Sequence, residues 1–194
     1  MARTKEFDPD VALQKALELF WERGFEATSM ADLVARLGIG RASLYATFGG
    51  KRDLYLAALQ RYQERSDAVE ALARPGAALP AIRGVLDAYV TADLASSRGC
   101  MIVNAAIETA PRDPAAARRV AASWDGLETA LAAALVRARA QGEIPAGSDP
   151  RSLARFLLVV LQGLRVVGRA DPDPRRLWDA VEHAMAAIQE RSVN

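Results

Sequence analysis

Cysteine occurs once in the 194 residues, at Cys100, and histidine once, at His183. A single thiol excludes an internal disulfide framework, and so few soft ligands leave little material for a metal site; no metal and no cofactor is expected. Neither sign of charge is in excess, with 25 Lys and Arg against 24 Asp and Glu. The overall balance therefore points neither to nucleic acid nor to a membrane, and any such contact must be argued from local geometry. No signal-peptide pattern follows Met1, which makes a cytoplasmic location the expectation. Long hydrophobic runs are also missing. The most apolar stretch, Phe156 to Leu161, is too short to span a bilayer and is flanked by Arg155, Gln162 and Arg165, so it reads as a buried helix and no membrane partner is expected. There is no phosphate-cradling Gly loop, no Ser-His-Asp arrangement with a local signature and no metal-ligand spacing. An enzyme is thus the poorer reading, no catalytic residue is named, and His183 reads as a surface or interface residue.

What is present is helix. Half of the residues are hydrophobic, enough for one compact domain or a small one fused to a larger one. Pro and Gly punctuate Ala- and Leu-rich stretches whose apolar residues recur at helical spacing, with no strand-like alternation and no fixed repeat. The first helix opens with Asp8 as N-cap and Pro9 at its first position, places Leu13, Ala16, Leu17 and Phe20 on one face, and ends at Gly24, beneath which Phe25 packs. A longer helix runs from about Lys51 until Arg74-Pro75-Gly76 breaks it. Further helices are expected near 77–95, 100–110, 114–141, 150–170 and 174–190, giving an all-α chain of about nine helices.

Residues 28–51 describe two short helices joined by a tight turn. Ser29 and Asp32 form a capping-box pattern, and Met30, Leu33, Val34 and Leu37 make an apolar face. Gly38 suits the left-handed conformation that stops a helix, Ile39 turns into the core, and Gly40 starts the second helix. Leu44 and Phe48 anchor that helix from below. The outward positions between them are Arg41, Ala42, Ser43, Tyr45, Ala46 and Thr47, small or polar residues of a size that fits a major groove.

From about residue 7 to 60 the chain resembles the DNA-binding domain of the TetR family of repressors. The resemblance is carried by Ala16-Leu17-Glu18-Leu19-Phe20, Gly24-Phe25-Glu26-Ala27-Thr28-Ser29, Ala31-Asp32-Leu33-Val34, Gly38-Ile39, and Leu44-Tyr45 through Phe48 to Lys51. Gly40 departs from it, since the family often has Ser or Thr there, at a cost of only a few tenths of a kcal/mol. The resemblance implies an N-terminal three-helix helix-turn-helix domain over 1–50 and a C-terminal helical effector-binding and dimerisation domain over 51–194. It assigns Thr28 or Ser29, Tyr45 and Lys51 to phosphates, and Arg41, Ala42, Ser43 and Thr47 to base edges, Arg41 being able to grip guanine bidentately. The implied function is a repressor released from a near-palindromic operator by a small molecule. An activator of the same fold is the alternative.

Two further regions carry expectations. Leu153 to Val167 is apolar nearly all round, so a second surface must cover part of it. With the last helix it suggests a homodimer interface built from Phe156, Val160, Leu164, Val167, Leu177, Val181, Met185 and Ile188. The resemblance places the effector inside the C-terminal helices, with Tyr89, Cys100, Met101, Asn104, Trp124, Leu127, Gln162 and Arg165 as candidates, a mixture suited to a mostly apolar molecule. Cys100 has two readings. At a helix start beside Arg98 its thiol is favoured as a reactive thiolate, and Arg98-Gly99-Cys100-Met101-Ile102-Val103-Asn104 is similar to a motif in a subgroup of the family, some of whose members respond to electrophiles or oxidants. Otherwise it is a buried, inert cysteine.

Overall fold

The computed structural model of the chain describes residues 7–190. The reading made at Met1 and the outer ends of the two expected domains lie outside the described residues. Within them the chain forms helices α1 (Pro9–Arg23), α2 (Met30–Leu37), α3 (Arg41–Phe48), α4 (Lys51–Glu64), α5 (Ala68–Ala73), α6 (Ala78–Ala95), α7 (Met101–Glu108), α8 (Pro114–Ala140), α9 (Pro150–Ala170) and α10 (Pro174–Gln189). No strand occurs among the described residues, as expected of an all-α chain.

Four of these helices begin in the same way. Asp8, Asp113, Asp149 and Asp173 each precede a proline and accept one or two backbone N–H groups of the first turn. Proline at the first helical position has no N–H to leave unsatisfied, and the carboxylate serves donors that have no intrahelical partner. The long helix expected from Lys51 is interrupted instead: α4 ends at Glu64 and α5 begins at Ala68. Arg65, Ser66 and Asp67 fill the gap, and serine and aspartate are residue types that favour helix ends.

The described helices group into two compact units, one made of residues 7–65 and 100–120, the other of 66–99 and 121–190. In the first, α1 packs on α2 and α4, α3 bridges α2 and α4, and α7 lies on α4. Its core is Leu17, Phe20, Leu33, Leu44, Leu54, Tyr55 and Leu59, with Tyr55 edge-on to Phe20 at 5.1 Å and Phe25 tilted against Tyr55 at 4.9 Å. In the second, α6, α9 and α10 pack mutually, and the later part of α8 joins them through Leu127, Leu131, Leu135 and Ala138. On α9 the buried residues are Pro150, Ala154, Leu157, Leu161, Leu164 and Gly168, one stripe at helical spacing.

Candidate nucleic-acid interface

The turn between α2 and α3 is built from local chemistry. The Ser29 hydroxyl accepts the Asp32 N–H at 3.1 Å while the Asp32 carboxylate accepts the Ser29 N–H at 2.9 Å, a reciprocal cap on α2. The Ser29 hydroxyl also donates to the Asp32 carboxylate, and that bond, then the one from the Ser29 N–H, with Arg23 at 3.1 Å, hold the Asp32 carboxyl below its ordinary range. At the far end Gly38 adopts φ 70°, ψ 28° and donates to the Val34 carbonyl, the left-handed stop for which a Cβ carries a penalty. Ile39 is buried immediately after it, and Gly40 caps α3 without a side-chain bond.

On α3 the only fully buried side chain is Leu44. Arg41, Ala42, Ser43, Tyr45 and Ala46 are exposed, and Thr47 and Phe48 are half-buried. The helix thus presents nearly its whole outer circumference from one apolar anchor. The Arg41 guanidinium lies 5.8 Å from the Tyr45 ring centre, so the two longest side chains of the strip sit together. Lys51, at the first position of α4, rests its ammonium 4.3 Å from the centre of the Phe25 ring, close enough for cation–π attraction.

One expected contact is corrected. Thr28 is completely buried, and its hydroxyl donates to the Gly24 carbonyl at 2.7 Å. It closes the chain between α1 and α2 and has no surface to offer a phosphate. Ser29, exposed, remains for that role.

Comparison with known proteins bears on what this surface is for. Residues 12–58 match the model of bacterial regulatory proteins of the tetR family, and residues 77–188 match a tetracyclin repressor-like C-terminal domain. The chain belongs to the TetR family. It is 39% identical over 193 residues to YezE, an uncharacterized HTH-type transcriptional regulator of Bacillus subtilis strain 168, covering 97% of this chain and 100% of that one. It is 33% identical over 174 residues to the HTH-type transcriptional repressor ComR of Escherichia coli K12, covering 86% and 82%. Among solved structures it resembles a cysteine-substituted form of the TetR family regulator CifR complexed with 26-bp double-strand operator DNA, with TM-score 0.84, 31% identity, and 96% and 100% coverage. This TetR-family chain is a DNA-binding transcriptional regulator, and its relatives are regulators rather than enzymes. No helix among the described residues is long and apolar enough to cross a membrane.

The remaining expected residues of this TetR-family chain fall into distinct places. Of the eight assigned to a dimer face, Leu164, Leu177, Val181, Met185 and Ile188 are buried in the core of their own unit, which corrects that assignment: a side chain already enclosed by its own chain has no surface left for a partner. Phe156 and Val167 are exposed and Val160 is half-buried. Val159, 70% exposed, and Val166 extend the outer apolar stripe of α9. Of the effector candidates, Cys100, Met101 and Asn104 belong to the first unit and Tyr89, Trp124, Leu127, Gln162 and Arg165 to the second. Met101 and Leu127 are core residues; the other six are partly exposed. Cys100 is the N-cap of α7, where its side chain makes no capping bond. The indole N–H of Trp124 is buried without a hydrogen-bond partner among the described residues.

Tyr89 and Arg165 are brought together, the guanidinium 4.0 Å over the ring. Arg165 also donates to Asp93 Oδ1 at 2.7 Å, with the Asp93 side chain 1% exposed. Burial pushes the Asp93 carboxyl above its ordinary range, against the pull of Arg165. Reading the sequence did not find Asp93, although it stands four residues after Tyr89 and so on the same face of α6. Two further groups were missed in the first unit. Glu108 accepts backbone N–H bonds from Phe25 and Glu26, and Arg52 forms a two-pronged pair with Asp113 at 2.6 and 2.8 Å. The Asp-Pro pair was a signal for Asp113 as a cap; nothing local points to Arg52 or Glu108 as partners.

Proposed function

We propose that the protein is a cytoplasmic repressor that binds a near-palindromic operator as a homodimer and is released by a small molecule bound in its C-terminal helices. Residues 1–50, together with Lys51 at the boundary, contact the DNA, and the rest of residues 51–194 binds effector and partner. The single observation that carries this reading is the exposed α3 strip of Arg41, Ala42, Ser43, Tyr45 and Ala46, with Leu44 the fully buried anchor of the helix. Small and polar side chains on a short helix suit entry into a major groove. Arg41, Ala42, Ser43 and Thr47 face base edges; Ser29, Tyr45 and Lys51 hold phosphates. The outer stripe of α9, with Phe156, Val159, Val166 and Val167, is the apolar surface offered to the second copy, which sets two α3 helices about 34 Å apart. An effector need only favour the DNA-incompetent form by about 1–3 kcal/mol.

Duplexes selected by the protein from a random pool test this directly. Arg41→Ala is expected to weaken the selected duplex by about 1–3 kcal/mol and relax preference at one base pair. Lys51→Ala is expected to weaken all sequences alike and reduce the salt slope by about one unit. Retention of no duplex, or an Arg41→Ala footprint unchanged in both affinity and preference, overturns the reading.

The partial exposure of Cys100 at the start of α7 favours an electrophile or oxidant as the effector. Cys100→Ser then abolishes release by such reagents; release that persists with every one tested removes this effector class.

A further inference from the structure

Around Lys51, three residues from the short stretch between the end of α7 and the start of α8 make contacts that DNA binding alone does not explain. Glu108 reaches across to the turn after α1, accepting the Phe25 N–H at 3.0 Å and the Glu26 N–H at 2.9 Å. Thr109 places its hydroxyl 3.5 Å from that of Tyr55, four residues after Lys51 on α4. Asp113 takes both prongs of Arg52, the residue next to Lys51. Lys51 itself lies on the ring of Phe25. The backbone that carries that ring is therefore the backbone that Glu108 holds.

The fit at the turn is close. Gly24 has φ +85°, and a Cβ there would come within 2.9 Å of a Glu108 carboxylate oxygen. The turn after α1 is shaped to admit this carboxylate as well as to reverse the chain. Two hydrogen bonds from neutral N–H donors to an ionised acceptor are of the stronger kind, and they span 82 and 83 residues of sequence.

We infer that Glu108 is a positioning residue for DNA binding: by fixing the Phe25–Glu26 backbone it sets the Phe25 ring under Lys51 and so aims the Lys51 ammonium at a phosphate. The inference rests on the proposed phosphate contact of Lys51. It has a sign that simple electrostatics does not share. Removing a carboxylate from a DNA-binding unit lessens repulsion and on charge alone tightens binding; loss of positioning weakens it.

The experiment is a double-mutant cycle on the full chain, using a duplex selected by the wild-type protein from a random pool, with affinity measured across a range of salt. Glu108→Ala is expected to weaken binding about tenfold and to lower the salt slope by about one unit, as loss of one phosphate contact does. In a Lys51→Ala background it is expected to add little, because the group it positions is gone. Glu108→Gln, which keeps one acceptor oxygen, falls between the two and carries the cycle if Glu108→Ala does not fold. A merely structural role lowers the melting midpoint and leaves the salt slope of the folded fraction unchanged. Unchanged or tighter binding by Glu108→Ala, an unchanged slope, or losses that add fully to those of Lys51→Ala overturn the inference. If Lys51→Ala itself leaves the slope unchanged, the phosphate assignment fails and the inference with it; if the wild type retains no duplex, the regulator reading fails first.

Discussion

The unit that carries α3 and the unit that carries α9 both present a helix to the outside, yet by different means. On α3 one leucine is buried and the outer residues are small or polar; on α9 a six-residue stripe is buried and much of the opposite side is again apolar. A helix with one fully buried anchor cannot hold its orientation by packing area, so the first unit relies on polar devices: locally the Ser29–Asp32 cap and the left-handed Gly38, and across the unit the carboxylates of Glu108 and Asp113. The second unit holds its helices by aliphatic burial and tolerates within it a buried ion pair, Asp93 with Arg165. Polar outer surface on a thin support suits a charged, hydrated partner, whereas apolar outer surface on a deep core suits another protein surface.

Removing one partner of the buried pair is the strongest way to break this contrast. Arg165→Met leaves the Asp93 carboxylate enclosed without its counter-charge and is expected to destabilise by about 3–5 kcal/mol, read from chemical denaturation at neutral pH. A loss below about 1 kcal/mol is the behaviour of an exposed pair and would show that the pair is not enclosed. Because burial raises the Asp93 carboxyl in the folded chain, its ionisation weighs against folding as pH climbs through and above the ordinary carboxylate range, so the loss in Arg165→Met is expected to shrink in acid.

In the first unit the corresponding break is Leu44→Ala, expected to cost about 2–4 kcal/mol and to release α3 from its support. Helix content by circular dichroism is expected to fall by little, while affinity for a selected duplex falls by far more. If affinity and helix content fall together, the loss is one of folding and not of the support of α3.

The smallest effect concerns Asp113. The Arg52 guanidinium beside it, helped by the backbone N–H groups of Ala115 and Ala116, holds its carboxyl down to about 2. With an ordinary unfolded value of about 3.9, the stabilisation is present above that pH and is lost as pH falls towards 2. Asp113→Ala is expected to lose about 1 kcal/mol at neutral pH, mostly as an N-cap, and its stability curve is expected to approach that of the wild type as pH falls through about 2. A difference that stays constant from pH 6 to pH 2 would sharpen the assignment towards packing and away from charge.

Much of the candidate interface was legible in the sequence because its determinants are near neighbours. Ser29 and Asp32, Gly38, Leu44 and the outward residues of α3 act within a few positions of one another. Thr28 was misjudged because a hydroxyl looks alike whether it faces water or the carbonyl four residues back. The assignment of Leu177, Val181, Met185 and Ile188 to a partner failed for a related reason: an apolar helix face is equally suited to its own core and to a second copy, and only packing against α6 and α9 decides between them.

What the chain's sequence determined by itself is where most helices start and stop, the break between α4 and α5 excepted, since Asp-Pro caps, glycine stops and apolar spacing act within a turn or two of helix. The tertiary structure alone decided which carboxylate meets which donor: Glu108 with the amides of Phe25 and Glu26, Arg52 with Asp113, Arg165 with Asp93. Those pairings join residues tens of positions apart, and no local pattern encodes a partner whose distance is set by how the helices between them pack.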